Sequence, residues 1–522
     1  MKVRYIIALF IAAFLVQSCG SSFLEDAKVQ RDLFKEYFYK TEDDAKLAVN
    51  AMYSPLHWYG LFKRHRYLLG YMAGDCIPTS GAGQVQAYHE FKFGPSDNEL
   101  VAEAWTTCYA GIGRANLVLE RVPEIPFEDE KIQQRYLAEA HFMRAFYYFN
   151  LVRMYGDVPL YTRSYSGDLD DPLLVPERTD ASVIYDLIEE DLLKAKGILP
   201  AEYPTADIGR PTSGAATGYL GKVFLFRKKY AEAVKEFKEI KDGLHGMYDL
   251  VPFDQIWGVA NNNNKESIFE IQYLAGFGTP WPNGDNTAAS KSNWVATAVS
   301  PGSGSFANAL PSEEVNDFFN MYPEENQLRR YYTIARSGDV WQSWNPIRED
   351  PTAEVVISED EVIGAQWNAR TKDKPYGYFS GIRKFAEGPD DRRGFNQCPN
   401  NYAPMRYADV LLMLAEAENE LNGPTALAYE SINMVRSRAQ VDPIPAGLGK
   451  DEFFEKVVVE RRLELTFEWH RFFDLVRWMD HPNRPEIGKA ENMPGFVVGR
   501  NEVLPIPQNE IQTNPNLKQN NY

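Results

Sequence analysis

The chain has 522 residues, including 30 Phe, 30 Tyr and 10 Trp, and a formal net charge of -18. That length allows up to about three domains or one large body, with a core that needs no disulfide or metal staple. A mean hydropathy of -0.41 excludes a polytopic membrane protein, a 44% hydrophobic content excludes a mainly disordered chain, and a pI near 5.0 argues against a nucleic-acid surface.

At the N-terminus, Lys2 and Arg4 precede an uncharged apolar run from Tyr5 to Val16. A membrane span needs about 20 apolar residues, so this shorter run reads as a signal-peptide core. It ends in Leu15-Val16-Gln17-Ser18-Cys19-Gly20, which resembles a bacterial lipobox. Residues 1–18 are then expected to be removed and Cys19 to carry several acyl chains, palmitate among them. Several chains anchor stably where a single one is marginal. Gly20-Ser21-Ser22 reads as a short tether. The remaining cysteines, Cys76, Cys108 and Cys398, are odd in number, so at least one is free. They read as core residues, with Cys76 and Cys108 the pair open to bridging, and no spacing resembles a zinc site.

Helical periodicity follows. Leu137, Phe142, Phe146, Phe149 and Val152 recur at helical spacing, and Gly156-Asp157-Val158-Pro159 ends that helix. A second helix runs from Ala181 to Gly197, entered through Thr179-Asp180. Thr212 to Arg227 is a third, with small residues at Ala215, Ala216, Gly218 and Gly221, and Tyr230-Ala231-Glu232-Ala233 opens a fourth that carries Phe237. Small residues let paired helices approach while the aromatic fills the next layer, which looks like a tetratricopeptide unit. The pattern returns at Arg406–Leu421 and Thr425–Arg438.

Between these blocks, residues 251–404 show little helical period and many turn-formers, such as Asn261 to Asn264 and Pro280-Trp281-Pro282-Asn283-Gly284. Six of the ten tryptophans lie here: Trp257, Trp281, Trp294, Trp341, Trp344 and Trp367. Long irregular segments are usually functional or disordered, and disordered ones are poor in Trp, so this one is read as functional.

Taken together, these residues resemble the SusD-like (SusD/RagB) outer-membrane lipoproteins. The resemblance rests on Ala138-Glu139-Ala140 through Arg144-Ala145-Phe146-Tyr147-Tyr148-Phe149 to Leu160, on Gly209-Arg210-Pro211-Thr212, and on Arg406-Tyr407-Ala408-Asp409. It also rests on Glu460-Arg461-Arg462-Leu463-Glu464-Leu465 with Arg471-Phe472-Phe473-Asp474-Leu475, and on the tail from Leu504 to Leu517. It implies a mainly α fold: four tetratricopeptide-like helix pairs packed against an irregular, loop-rich region with few short strands. On this reading residues 1–18 are signal, 19–250 an N-terminal helical part, 251–404 the ligand-binding region and 405–522 a C-terminal helical part, all one body. It further implies a surface-exposed, lipid-anchored outer-membrane protein that binds glycan, or in some members peptide, and pairs with a SusC-like TonB-dependent transporter. Such proteins are not enzymes, and no nucleic-acid partner or cofactor is implied.

The acid-rich stretch Glu460 to Asp474, with His470, could look catalytic. Read as one helix, it carries an apolar stripe of Leu465, Trp469, Phe472 and Val476, with Glu464 and Glu468 near Arg461 and Arg471, so its charges read as structural pairs. Gly111-Ile112-Gly113 lacks the third glycine of a dinucleotide fingerprint and sits in a helical pattern. No nucleophile elbow, HExxH, P-loop or EF-hand is present, so no catalytic or metal-ligating residue is assigned and a structural calcium ion has no motif behind it. Sugars expose flat C–H faces edged by hydroxyls, which an aromatic ring covers while amides and carboxylates bond the edge. The ligand-binding candidates are therefore Trp281 with Asn283 and Asp285, Trp294, Trp341 and Trp344, and Trp367; the resemblance adds Tyr88, since it implies a binding segment at the early loop from Asp75 to His89. A secreted glycoside hydrolase is the rival from another class, but nothing singles out a carboxylate pair.

Overall fold

Helix α1 (Glu42–Tyr53) starts at Thr41, whose hydroxyl accepts from the Asp44 amide while the Asp44 carboxylate accepts from the Thr41 amide. This reciprocal box satisfies N–H groups that have no intrahelical partner. The computed structural model describes residues 38–63, 65–78, 83–165, 168, 170–275, 292–293, 295, 299, 309–322, 327–336, 338–342, 354–356, 380–386 and 398–522. The signal segment, Cys19, Trp281, Asn283, Asp285, Trp294, Trp344 and Trp367 lie outside them.

Helices α2 (Leu100–Arg121) and α3 (Glu130–Tyr155) follow, and Gly111 explains why the first contains glycine. A Cβ there would lie 2.2 Å from the Tyr147 ring, so the apparent fingerprint glycine is a close approach between helices. Helix α3 ends at Gly156, with φ 72° and ψ -128°, a conformation that side chains with a Cβ resist. The predicted stop is therefore in place. Helix α4 (Ala181–Ile198) is capped by the Asp180 carboxylate, which accepts from the Ser182 amide at 2.7 Å.

Helices α5 (Ser213–Phe226) and α6 (Tyr230–Lys241) realise the small-residue pairing. A Cβ on Gly221 would sit 2.6 Å from the fully buried Phe237 ring. Gly221→Val is expected to cost about 1–3 kcal/mol or more by overpacking. Urea unfolding checks this, and an unchanged midpoint would contradict the packing account.

Helices α7 (Glu313–Asn320) and α8 (Gln327–Thr333) lie in the irregular part. The chain returns to long helices with α9 (Tyr407–Asn422), α10 (Ala426–Arg438) and α11 (Lys450–Leu465), then the short α12 (Arg471–Arg477). Helix α3 packs on α2 and α4, α4 on α5, α5 on α6, α6 on α9, and α9 on α10 and α11. The α6–α9 contact joins the two helical parts across the whole irregular segment. One apolar cluster runs from Ala45 to Leu517. No helix of the described residues is long and apolar enough to cross a membrane.

The described strands form antiparallel pairs: β1 (Cys76–Pro78) with β3 (Ala309–Pro311), β2 (Ser267–Ile271) with β8 (Tyr402–Arg406), β4 (Ile334–Arg336) with β7 (Ser380–Ile382), and β5 (Val340–Gln342) with β6 (Glu354–Val356). Each is too small to stand alone and depends on the helices behind it. The fold is mainly helical with few short strands, as expected.

One expectation is corrected. The stretch from Glu460 to Asp474 is not one helix: α11 ends at Leu465, and Phe467 and Trp469 take φ of 67° and 64° before α12. Left-handed backbone at two non-glycine residues costs on the order of 1 kcal/mol each. Buried partners hold the turn: Tyr402 donates its hydroxyl to the Glu468 carbonyl at 2.9 Å, and Trp469 stacks on Phe385. Cys76, Cys108 and Cys398 are all buried, as the core reading expects, and Cys76 and Cys108 do not bridge.

Candidate functional site

The irregular region is held to the helices by buried charges. Glu464, fully buried, accepts from Arg329 Nε at 3.1 Å and faces Arg406 Nη1 at 2.7 Å and Arg438. Arg406 also grips both oxygens of Glu468 (2.7 and 2.8 Å) and reaches Glu266 at 2.5 Å. Lys384 Nζ donates to Glu468 at 2.6 Å, and Arg436 donates to Glu460 at 2.8 Å. Burial pushes the Glu464 carboxyl up, but Arg438, Arg406 and Arg329 outweigh it and hold the group well below the usual carboxylate range. Burial brings Lys384 down to about 8. The charge pairing is structural, as expected, but its partners differ. Arg461 serves Asp409 and Asp474, and Arg471 lies beside Asp75, so neither pairs with Glu464 or Glu468.

This network fixes one wall of an open groove of about 850 Å³ between α8, α10 and the loop at 249–254. Arg438 lies over the Phe253 ring at 4.6 Å while donating to Glu266 at 2.9 Å. Phe253 in turn lies tilted against Tyr332 at 6.0 Å and Trp257 at 5.5 Å. The half-buried Tyr332 faces the groove, and Asp249, Asp254, Glu430, Asn433 and Gln440 edge it. Aromatic carbon beside carboxylates and amides can cover a sugar face and bond its hydroxyls. Among the described residues no group of three or more His, Cys, Asp or Glu could hold a metal ion.

The groove is joined to one predicted tryptophan. The Tyr331 hydroxyl donates to the Val340 carbonyl, and Arg383 lies 3.8 Å over the Tyr331 ring. The β5–β6 ribbon that carries Trp341 is therefore tied to the helix presenting Tyr332. Tyr88 is placed differently and is corrected: it is fully buried, stacked on Phe93 at 5.0 Å. Its hydroxyl donates to Asp97 and accepts from the Leu100 amide at 3.0 Å, so it supports the start of α2 and offers no ring to a ligand. The remaining candidates lie outside the described residues. Sequence reading missed Phe253, Tyr332 and Arg438, because no local pattern announces residues that converge only in three dimensions. The Asn261–Asn264 turn is also spoken for: Asn264 donates to Ile256 and Asn261 carbonyls at 3.1 and 2.9 Å, and Asn262 bonds the 399–401 segment.

Comparison with known proteins gives a consistent result. Residues 254–522 match the SusD family model, and residues 72–225 match a model described as starch-binding, associating with outer membrane. SusD-like protein P2 of Formosa agariphila is 28% identical over 97% of this chain and 97% of its own length. A SusD-like protein of Bacteroides ovatus is 25% identical over 89% of this chain and 81% of its own. A solved laminarin-binding SusD-like protein is 28% identical, covers 92% of this chain and 99% of its own, and superposes with a TM-score of 0.74. Surface glycan-binding protein A of Bacteroides uniformis, at 24% identity over 92% of this chain and 99% of its own with a TM-score of 0.71, shares the fold.

Proposed function

The chain belongs to the SusD family, and on that premise we propose that it captures an oligosaccharide at the cell surface and delivers it to a partner TonB-dependent outer-membrane transporter. It is a binding protein and not an enzyme, with a carbohydrate-binding role. The observation that carries the glycan reading is the near full-length similarity to a laminarin-binding member. The groove at Tyr332 and the neighbouring Trp341 ribbon support it, since stacking surfaces and polar edges suit a hydroxylated ligand. Trp281, Asn283, Asp285, Trp294, Trp344 and Trp367 are proposed as further ligand contacts.

Native electrophoresis in gels cast with soluble polysaccharides, laminarin first, tests this reading. Retarded migration in at least one gel is expected. Unretarded migration in all of them, with thermal stabilisation by peptides instead, would overturn it in favour of a peptide-binding member.

The association with the outer membrane is proposed to run through acylated Cys19. Stable anchoring needs more than one chain, which the lipobox chemistry supplies. Cys19→Ala is expected to move the protein from the membrane to the soluble fraction in a host that processes lipoproteins. Unchanged membrane recovery would contradict the anchor.

A further inference from the structure

Away from the groove, a cavity of about 30 Å³ lies where α3, α5 and the Thr466–His470 turn meet. Arg66, Asn150, Arg153, Lys222, Trp469 and His470 contribute to its lining. Arg66, Trp469, Lys222 and His470 are each at least nine-tenths buried. Their hydrogen-bonding groups are not used up within the protein: Arg66 Nε and Nη1, Trp469 Nε1 and His470 Nε2 have no partner.

The chemistry of these atoms is one-sided. Guanidinium and indole N–H groups only donate. His470 Nδ1 lies 3.5 Å from Lys222 Nζ, which also only donates, so Nδ1 accepts and Nε2 carries the hydrogen. Four donors therefore lack an acceptor. The Asn150 side-chain oxygen is already taken by Arg153 Nη2 at 2.9 Å.

The charge is one-sided too. Lys222 has Asp409 at 2.9 Å, but that carboxylate is shared with Arg461, also at 2.9 Å. Asp474 is engaged by Arg461 and Arg477, and Glu468 by Arg406 and Lys384. Arg66 lies over the rings of Tyr402 at 3.9 Å and Phe62 at 4.7 Å, and Arg153 over those of Phe149 at 4.1 Å and Phe473 at 4.3 Å. Among the described residues neither arginine has a carboxylate in ion-pair reach. A buried charge without a counter-charge is strongly destabilising. A single water fits the volume, but it accepts about two hydrogen bonds, needs acceptors for its own hydrogens and brings no charge.

We propose that this cavity is a binding site for one small monovalent anion, chloride-sized, held by Arg66, Trp469 and His470. The ion neutralises Arg66 and locks the N-terminal helices onto the turn between α11 and α12. It is independent of the glycan site and does not rest on the proposed function.

Crystals of the mature protein prepared with bromide in place of chloride test the site by anomalous scattering at the bromine edge. An anomalous peak in the cavity, within contact of Arg66 Nε, Trp469 Nε1 and His470 Nε2, is expected. Cavity density without anomalous signal, or none, would overturn the proposal by showing water or a void. Thermal unfolding provides a second reading without crystals: Tm is expected to rise saturably in chloride relative to gluconate at equal ionic strength, and equal Tm values would count against the site. In Arg66→Met the peak and the chloride-specific rise are both expected to vanish; a persistent peak would overturn the assigned ligand set.

Discussion

Replacing Arg406 with alanine is expected to destabilise the protein by about 3–5 kcal/mol, because it takes a counter-charge from three buried carboxylates at once. Arg406 is 2% exposed and is the point where Glu266, Glu464 and Glu468 meet. Its removal leaves the Glu468 carboxylate with Lys384 and the Glu464 carboxylate with Arg329 and Arg438. The network's value lies in specification: it sets β8, α11 and the loop carrying Lys384 in one arrangement. Urea unfolding followed by circular dichroism checks the figure, and a loss under about 1 kcal/mol would mean the charges are better compensated than the geometry indicates.

The same residues dictate an acid response. Burial raises Glu464 and Glu468, yet the surrounding cations win and both sit below their ordinary range in the folded chain. A depressed folded value means stabilisation that is fully present above the unfolded value, near pH 4–5, and lost as pH falls further. Wild type should therefore lose stability progressively below about pH 5, and Arg406→Ala should show a shallower acid limb. Identical acid limbs would contradict this.

Glycan affinity is expected to fall about ten- to thirty-fold in Tyr332→Ala and in Trp341→Ala, or ~1.4–2 kcal/mol each, the scale of an aromatic anchor at an interface. Tyr332 is the half-buried ring of the groove, and Trp341 lies on the ribbon bonded to its neighbour through Tyr331 and Val340. Because the two positions lie near one ligand, the double variant should fall short of the summed loss. Tyr88→Phe serves as the contrast: its hydroxyl supports the start of α2, so it should alter stability and leave affinity intact. Affinity unchanged in both aromatic variants would move the site away from this face.

The helical scaffold was legible because its signals are local. Asp180, Thr212 and Thr425 each cap the helix that follows, and Gly156 stops α3 where the sequence indicates. Gly221 could be read as a packing residue from its helical spacing, and Phe237 proves to be the ring it admits. The break between α11 and α12 was not legible, because no turn-former marks it. It is imposed by Arg406, Lys384 and Tyr402, all distant in sequence, acting on Glu468. Long-range partners also defeated the pairing of Glu464, whose cations come from positions 329, 406 and 438 and not from its own helix. In the candidate site, composition pointed to the tryptophan-rich middle, while the Phe253–Tyr332 groove required the packing of α8 on the loop at 249–254. Tyr88 shows the limit of composition: an aromatic just after two glutamines in a loop-like stretch turned out to be core.

The most direct test of the central claim is a calorimetric titration of the mature protein with oligosaccharides released from the polysaccharide that retards it, with peptides of comparable length run alongside. Saturating heat with an oligosaccharide is expected, one site per chain, weakened by Tyr332→Ala. Flat isotherms with every oligosaccharide and saturating heat from a peptide would contradict it.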